Sequence, residues 1–213
     1  MSPRSEAASY PVNLVLDGRA CLVVGGGPVA ARKVEGLRAC GGRVTVVAPE
    51  VCDEIRRWTD VTVEQRPYRD GDLAGYWLVV AATDDGTVNA AVYREGERSH
   101  VWVNGADDPE HCSFTLPSVL RRGPLVVTVS TSGRSPALSG WLRRRLEAEI
   151  GPEYEVLLEL LSTEREVLRA EGRSTEGLDW AKALDSGLLD LIRSGNVSSA
   201  RKHLQTCLSS SSD

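Results

Sequence analysis

The chain has 213 residues, 41% of them hydrophobic and 26% charged, with a net charge of −5. These values suit a folded globular protein with one good core and a smaller second unit. The acidic balance argues against general nucleic-acid binding, and no apolar run reaches the roughly 20 residues that span a bilayer, so neither nucleic acid nor membrane is an expected partner.

The start, "MSPRSEAAS", lacks the hydrophobic run of a secretory signal, so the expected location is cytoplasmic. The stretch "VNLVL", before the turn "DG", predicts an added edge strand. "ACLVV" is a continuous apolar run followed by glycines, which predicts a buried strand. A helix pattern follows over 28–40, with Val29, Val34 and Leu37 inward and Arg32, Lys33 and Arg38 outward. Next come a strand in "RVTVVA", a helix over 50–58 and strands in "VTVEQR" and "YWLVVAAT". A helix over 84–97 and a strand in "HVWVN" complete the alternation. Apolar strands alternating with helices predict an α/β domain over 1–112, a Rossmann-like doubly wound parallel sheet covered on both faces.

The character then changes. A strand, "LVVTVS", lies between proline and glycine breakers, and a helix begins at Ser135-Pro136 and runs through "ALSGWLRRRLEAEI". Serine caps and proline suits the first turn. These elements make a central segment over 113–150. Residues 151–213 read as a helical domain, with an apolar stripe of Val156, Leu157, Leu160, Leu161, Val167 and Leu168. "GLDWAKALDSGLLDLIRSG" and "VSSARKHLQTCL" predict two further helices, and the tail "SSSSD" a disordered end.

Gly25, Gly27 and Ala30 fit the spacing G-x-G-x-x-A between a strand and a helix. Gly25 permits the tight turn, Gly27 lets a pyrophosphate approach the backbone, and Ala30 lets the helix pack closely on the strand. Pro28 sits where a missing N–H costs nothing, and the helix N-terminus offers amides and a favourable dipole. The acid usual at the end of the second strand is absent: Ala48 stands there, followed by Pro49 and Glu50. Glu50 reads equally as a ribose contact or as a helix N-terminal charge. No arginine follows to receive a 2′-phosphate, which favours NAD over NADP. Ala82 and Thr83, after the strand that ends near Ala81, are expected beside the cofactor, and Asp84 is a candidate cap for the next helix.

Between Glu110 and Glu147 there are six arginines and no carboxylate. Such segregation focuses positive potential and suits an anionic ligand, although Arg143, Arg144 and Arg145 also read as a solvated helix face. Arg121, Arg122 and Arg134 lie beside predicted turns, and Ser130, Thr131 and Ser132 add hydroxyls where a helix begins. Asp107 and Asp108 fall at the carboxyl edge of the sheet and are candidates for proton transfer or metal contact. The alternative for "DDP" is a plain turn. The five cysteines form no CxxC, and the spacing of His111 and Cys112 matches no standard metal site, so no permanent metal is expected.

Together, "YPVNLVLDGRACLVVGGGPVAARKVEGL", "RVTVVAP", "WLVVAATDD" and "VNGADDPEHCSFTLPSVLRRGPLVVTVSTSGRSPALSGWLRRRLE" resemble the precorrin-2 dehydrogenases, the dehydrogenase–ferrochelatase module of siroheme synthases. The resemblance implies NAD-dependent oxidation of precorrin-2 to sirohydrochlorin, a homodimer held through the central segment, and in some members insertion of Fe²⁺ as a second substrate. It makes Asp107 the catalytic carboxylate and, with iron, a transient metal contact. It maps the cofactor contacts onto Pro28, Val29, Pro49 and Glu50. The tetrapyrrole substrate then falls to Arg122, Ser130, Thr131, Ser132 and Arg134. Thr131 stands where some members carry a phosphorylated serine. The rival readings are an NAD-sensing regulatory module without catalysis, and a chelatase with a vestigial nucleotide fold.

Overall fold

The structure, a computed structural model, describes residues 9–209. Most of the opening read for a secretory signal, residues 1–8, and most of the expected disordered tail, 210–213, lie outside the described residues. The chain divides into two compact units, Met1–Leu116 and Pro117–Asp213.

In the first unit the elements run β1 (Ala20–Val24), α1 (Pro28–Arg38), β2 (Arg43–Ala48), α2 (Asp53–Arg56), β3 (Thr62–Gln65), β4 (Leu78–Ala81), α3 (Gly86–Ser99) and β5 (Trp102–Gly105). The five strands form one sheet in the order β3-β2-β1-β4-β5, with every pairing parallel. β1 is apolar on both faces because both faces are covered. Cys21 and Val23 join one core with Val34 and Ile55, while Leu22 and Val24 join another with Leu73 and Val92. Each fully buried side chain of this size contributes about 1.5–3 kcal/mol. Burial, then the neighbouring Cys40, pushes the Cys21 thiol up, so it behaves as a core apolar group.

Strand order reverses between β1 and β4. Ligands of such sheets gather at the carboxyl ends of the strands at that point. Three expectations here need correction. "VNLVL" forms no strand: its residues are irregular, with Val12 and Val15 exposed, and β3 and β5 are the sheet's edges. The helix expected over 50–58 is only the short α2, whose N-cap, Cys52, makes no side-chain capping bond. The cap of α3 is Asp85 and not Asp84: its carboxylate accepts the amide hydrogens of Thr87 at 2.8 Å and Val88 at 3.4 Å.

The second unit opens on an antiparallel hairpin, β6 (Ser118–Arg122) and β7 (Leu125–Val129), joined by Gly123 at φ +52 and Pro124. Only β7 was legible as a strand. α4 (Pro136–Glu149) packs on the hairpin and is capped as expected by Ser135, whose hydroxyl accepts the Leu138 amide at 3.2 Å. α5 (Glu153–Ala170), α6 (Trp180–Leu184), α7 (Leu188–Arg193) and α8 (Val197–Ser209) enclose a core of Leu157, Leu160, Leu168, Leu188 and Leu204. The two helices expected after 178 are three, because Gly187, at φ +91, breaks the first of them. Val167, read as part of the apolar stripe, is largely exposed, and the buried Glu164 takes a place in the stripe through a 2.9 Å bond from Gln205.

Candidate active site

The glycine turn after β1 is built from three residues with three different duties. Gly25 has φ +126, and a Cβ there would lie 2.2 Å from the Ala82 carbonyl oxygen. Gly26 would bring a Cβ within 1.9 Å of the Glu50 carbonyl, a contact that the sequence motif does not specify. Gly27, the N-cap of α1, is different: nothing lies within 4 Å of its Cβ position, and no side chain caps the helix. The first two glycines let the chain pack, and the third leaves open space beside uncapped amides. That is the geometry a pyrophosphate requires, so the turn fits a dinucleotide. Ala30 is fully buried against the core, Val29 partly so, and Pro28 is exposed at the first helical position.

The loops on either side complete the rim. Pro49 and Glu50 follow β2, where the Cys52 amide donates to the Gly26 carbonyl at 2.8 Å and ties the two loops together. After β4, Ala82 closes on Gly25, and Thr83 is gripped by Asn89 of α3. The Asn89 side-chain oxygen accepts from the Thr83 hydroxyl at 2.8 Å and from its amide at 3.3 Å, while its nitrogen donates to the Thr83 carbonyl at 2.9 Å. Asn89 is buried, and sequence reading missed it; its place on the inward face of α3 with Val92, Glu95 and Gly96 is visible only once that face is known. Asn89→Ala is expected to cost about 1–3 kcal/mol, the penalty of stranding buried polar groups, and to loosen nucleotide binding. Thermal melting and a nucleotide titration would check this.

β5 delivers the carboxylate. Gly105 to Asp108 make a turn closed by the Asp108 amide on the Gly105 carbonyl at 3.3 Å. The Ala106 amide donates to the Ala81 carbonyl at 2.7 Å, so the turn is attached to the end of β4, directly beside the glycine turn. Asp107 stands in this turn at φ +59, exposed, and its carboxylate has no hydrogen bond or ion pair among the described residues. Asp108 is engaged instead with His111, 2.6 Å away. The buried carboxylate of Glu95 is also spent, on the Tyr68 hydroxyl and the Leu73 amide. No cluster of three or more His, Cys, Asp or Glu side chains suited to a metal occurs among the described residues.

In the second unit the loop before α4 is tightly knit. The Thr131 hydroxyl accepts from the Ser135 amide and donates to the Ser135 carbonyl, both at 3.1 Å, and the Ser130 hydroxyl accepts from the Ser132 amide at 3.2 Å. Ser132 at φ +51 and Gly133 at φ +76 turn the loop, leaving the Arg134 side chain exposed and without a partner among the described residues. Arg122, expected to meet an anionic ligand, has another task. Its guanidinium donates to the carbonyls of Ile150 at 2.9 Å, Arg121 at 3.0 Å and Glu147 at 3.3 Å, satisfying the end of α4. Arg143 pairs with Glu147 at 2.6 Å, as a solvated helix face would.

Residues 12–118 match the family model described as "Putative NAD(P)-binding". The chain belongs to this NAD(P)-binding family. Its first unit is therefore a nicotinamide-dinucleotide domain, in agreement with the glycine turn. Residues 122–149 of this NAD(P)-binding chain match a second family model, described as sirohaem biosynthesis protein central. It is 37% identical over 203 residues to the siroheme synthase of Nitrosococcus oceani and 39% identical over 209 residues to that of Thioalkalivibrio sulfidiphilus. These alignments cover 93% and 96% of the chain but 43% of each relative, so the chain spans less than half the length of the curated relatives it matches. The solved structure of SirC, precorrin-2 dehydrogenase, is similar with a TM-score of 0.69 and 28% identity, covering 93% of this chain and 98% of that one. No helix among the described residues is long and apolar enough to cross a membrane.

Proposed function

We propose that the chain oxidises precorrin-2 to sirohydrochlorin with NAD⁺, a step of siroheme formation. The observation that carries this reading is the unpartnered Asp107 carboxylate, attached through Ala106 and Ala81 to the strand end beside the glycine turn. The oxidation removes a hydride and a proton from the substrate. A nicotinamide dinucleotide held at the turn of Gly25, Gly27 and Pro28 would supply the hydride acceptor. Asp107 takes the proton, being the carboxylate at this edge with no competing partner. The substrate is a polycarboxylate, and within the second unit the exposed Arg134 guanidinium suits one of its acid groups, with Ser130 and Ser132 beside it, while the Thr131 hydroxyl, already donated to the Ser135 carbonyl, holds the loop. Arg122 in this reading shapes the central segment by holding the end of α4.

An anaerobic incubation with precorrin-2 and NAD⁺ tests the proposal. NADH formation is the expected result; a chain that binds nucleotide and forms none would be the sensing module instead. Adding Fe²⁺ to the sirohydrochlorin formed tests the second activity in the same vessel, with iron as substrate.

NAD is the preferred nucleotide in this proposal, because Glu50 presents an exposed carboxylate next to the Gly26 contact, where a 2′-phosphate would be repelled. Glu50→Ala is expected to shift the kcat/KM ratio of NAD⁺ to NADP⁺ by about tenfold towards NADP⁺, about 1.4 kcal/mol. An unchanged ratio would remove Glu50 from nucleotide choice.

The functional division we favour is a nucleotide domain over 1–112, a central segment over 113–150 and a helical domain over 151–213. The central segment also supports a homodimer. α4 covers one face of the hairpin, while Val119 and Val126 stay partly exposed on the other, and Leu138 and Trp141 of α4 are nearly half exposed, an apolar surface that a second copy would cover. The location we propose is the cytoplasm.

A further inference from the structure

We propose that Asp108 and His111 form a clamp that positions Asp107 for proton transfer, an inference that rests on the reading of Asp107 given above. Asp107 has no side-chain partner, so nothing but its main chain fixes where its carboxylate stands. That main chain is left-handed, a conformation that aspartate adopts more readily than most residues but that still costs free energy, so contacts that hold the turn bear on it. The enforcing contacts lie on the C-terminal side of the turn. The Gly105 amide donates to the His111 carbonyl at 3.0 Å and the His111 amide donates to the Asp108 carbonyl at 3.2 Å, closing residues 105–111 into one loop.

The side chains then lock that loop. The Asp108 carboxylate accepts from His111 Nδ1 at 2.6 Å through one oxygen and from the Glu110 amide at 3.3 Å through the other. The Cys112 thiol reaches the carbonyls of Gly105 at 3.3 Å and Asp108 at 3.2 Å. The His111 ring meets Tyr93 of α3 edge to face, with centroids 5.5 Å apart, which anchors the loop to a rigid helix. A plain aspartate–proline turn explains the bond to Glu110 but leaves the bond to His111 and the aromatic anchor without a purpose. With the clamp intact, Asp107 is delivered in one orientation. With it broken, the turn relaxes towards right-handed conformations and the carboxylate moves, and a displacement near 1 Å is enough to cost a large factor in rate.

The test compares two polar replacements in the full chain. His111→Asn keeps a donor at the δ position, where Asp108 needs it; His111→Gln moves the donor to the ε position. His111→Asn is expected to retain at least about a third of the wild-type kcat, while His111→Gln loses about tenfold or more. KM values for NAD⁺ and precorrin-2 should stay within about twofold in both, since a positioning defect appears in kcat. Asp108→Ala is the second variant, read by the same split, and serves if His111→Gln fails to fold. Equal activities of the two His111 variants, or a loss carried by KM, would overturn the clamp. The Asp107→Asn variant separates the two levels of the argument. If it is fully active, the catalytic reading fails and takes the clamp with it. If it is inactive while His111→Gln and Asp108→Ala turn over normally, the clamp alone fails.

Discussion

Asp107→Asn is expected to lower turnover at least about 100-fold while leaving NAD⁺ affinity near wild type. Asparagine is nearly isosteric and tolerates the left-handed region as well as aspartate does, so the turn between Gly105 and Asp108 survives and only the basicity is lost. The choice of replacement matters. Asp107→Ala would add about 1–2 kcal/mol of backbone cost at φ +59, and its inactivity would then have two explanations. Asp107→Gly removes that cost, so it should melt no lower than wild type and still be inactive. Stopped-flow absorbance for turnover, a nucleotide titration for affinity and thermal melting for stability separate the three variants. Wild-type turnover in Asp107→Asn would exclude the carboxylate from the chemistry.

The second large effect is a contrast between neighbouring glycines. Gly25→Ala is expected to cost about 2–5 kcal/mol, combining a left-handed backbone with a clash against the Ala82 main chain. The loop cannot give way cheaply, because Ala82 is itself held by the hydrogen bond that its amide donates to the Val24 carbonyl at 2.8 Å. Gly27→Ala meets no protein atom within 4 Å and has an ordinary φ of −83, so stability should fall by no more than about 1 kcal/mol. Its methyl group instead occupies the space a pyrophosphate needs, and NAD⁺ affinity should drop at least about tenfold, or about 1.4 kcal/mol. Denaturant unfolding and nucleotide titration of both variants check the pair. A Gly27→Ala variant that binds NAD⁺ normally would mean that the nucleotide does not cross the turn there.

The sheet was legible because its strands are short unbroken apolar runs between turn signals, and the glycine spacing located the dinucleotide turn. The position of Asp107 just past β5 was legible from "VNGA", while its catalytic role rests on the family resemblance. Other features depend on contacts that a linear pattern does not carry. The exposed "VNLVL" is apolar enough to read as a strand, but it pairs with neither edge of the sheet. β6 was missed because "SVLRR" ends in arginines, one of which, Arg122, belongs to the end of α4 more than to solvent. Asn89, Gly26 and the Asp108–His111 pair each act on a residue from another segment or across a turn, which periodicity does not reveal. Arg122 makes a contact that its place in a basic tract does not reveal: its guanidinium donates to the Ile150 and Glu147 carbonyls at the end of α4.

The central claim is that this nucleotide domain transfers a hydride out of a tetrapyrrole. Its most direct test is an anaerobic single turnover, with enzyme and NAD⁺ in excess over precorrin-2 and the absorbance of NADH and of sirohydrochlorin recorded together. The account predicts that both rise at one rate and in equal amounts. Sirohydrochlorin appearing without NADH, or neither appearing while NAD⁺ remains bound, would contradict it.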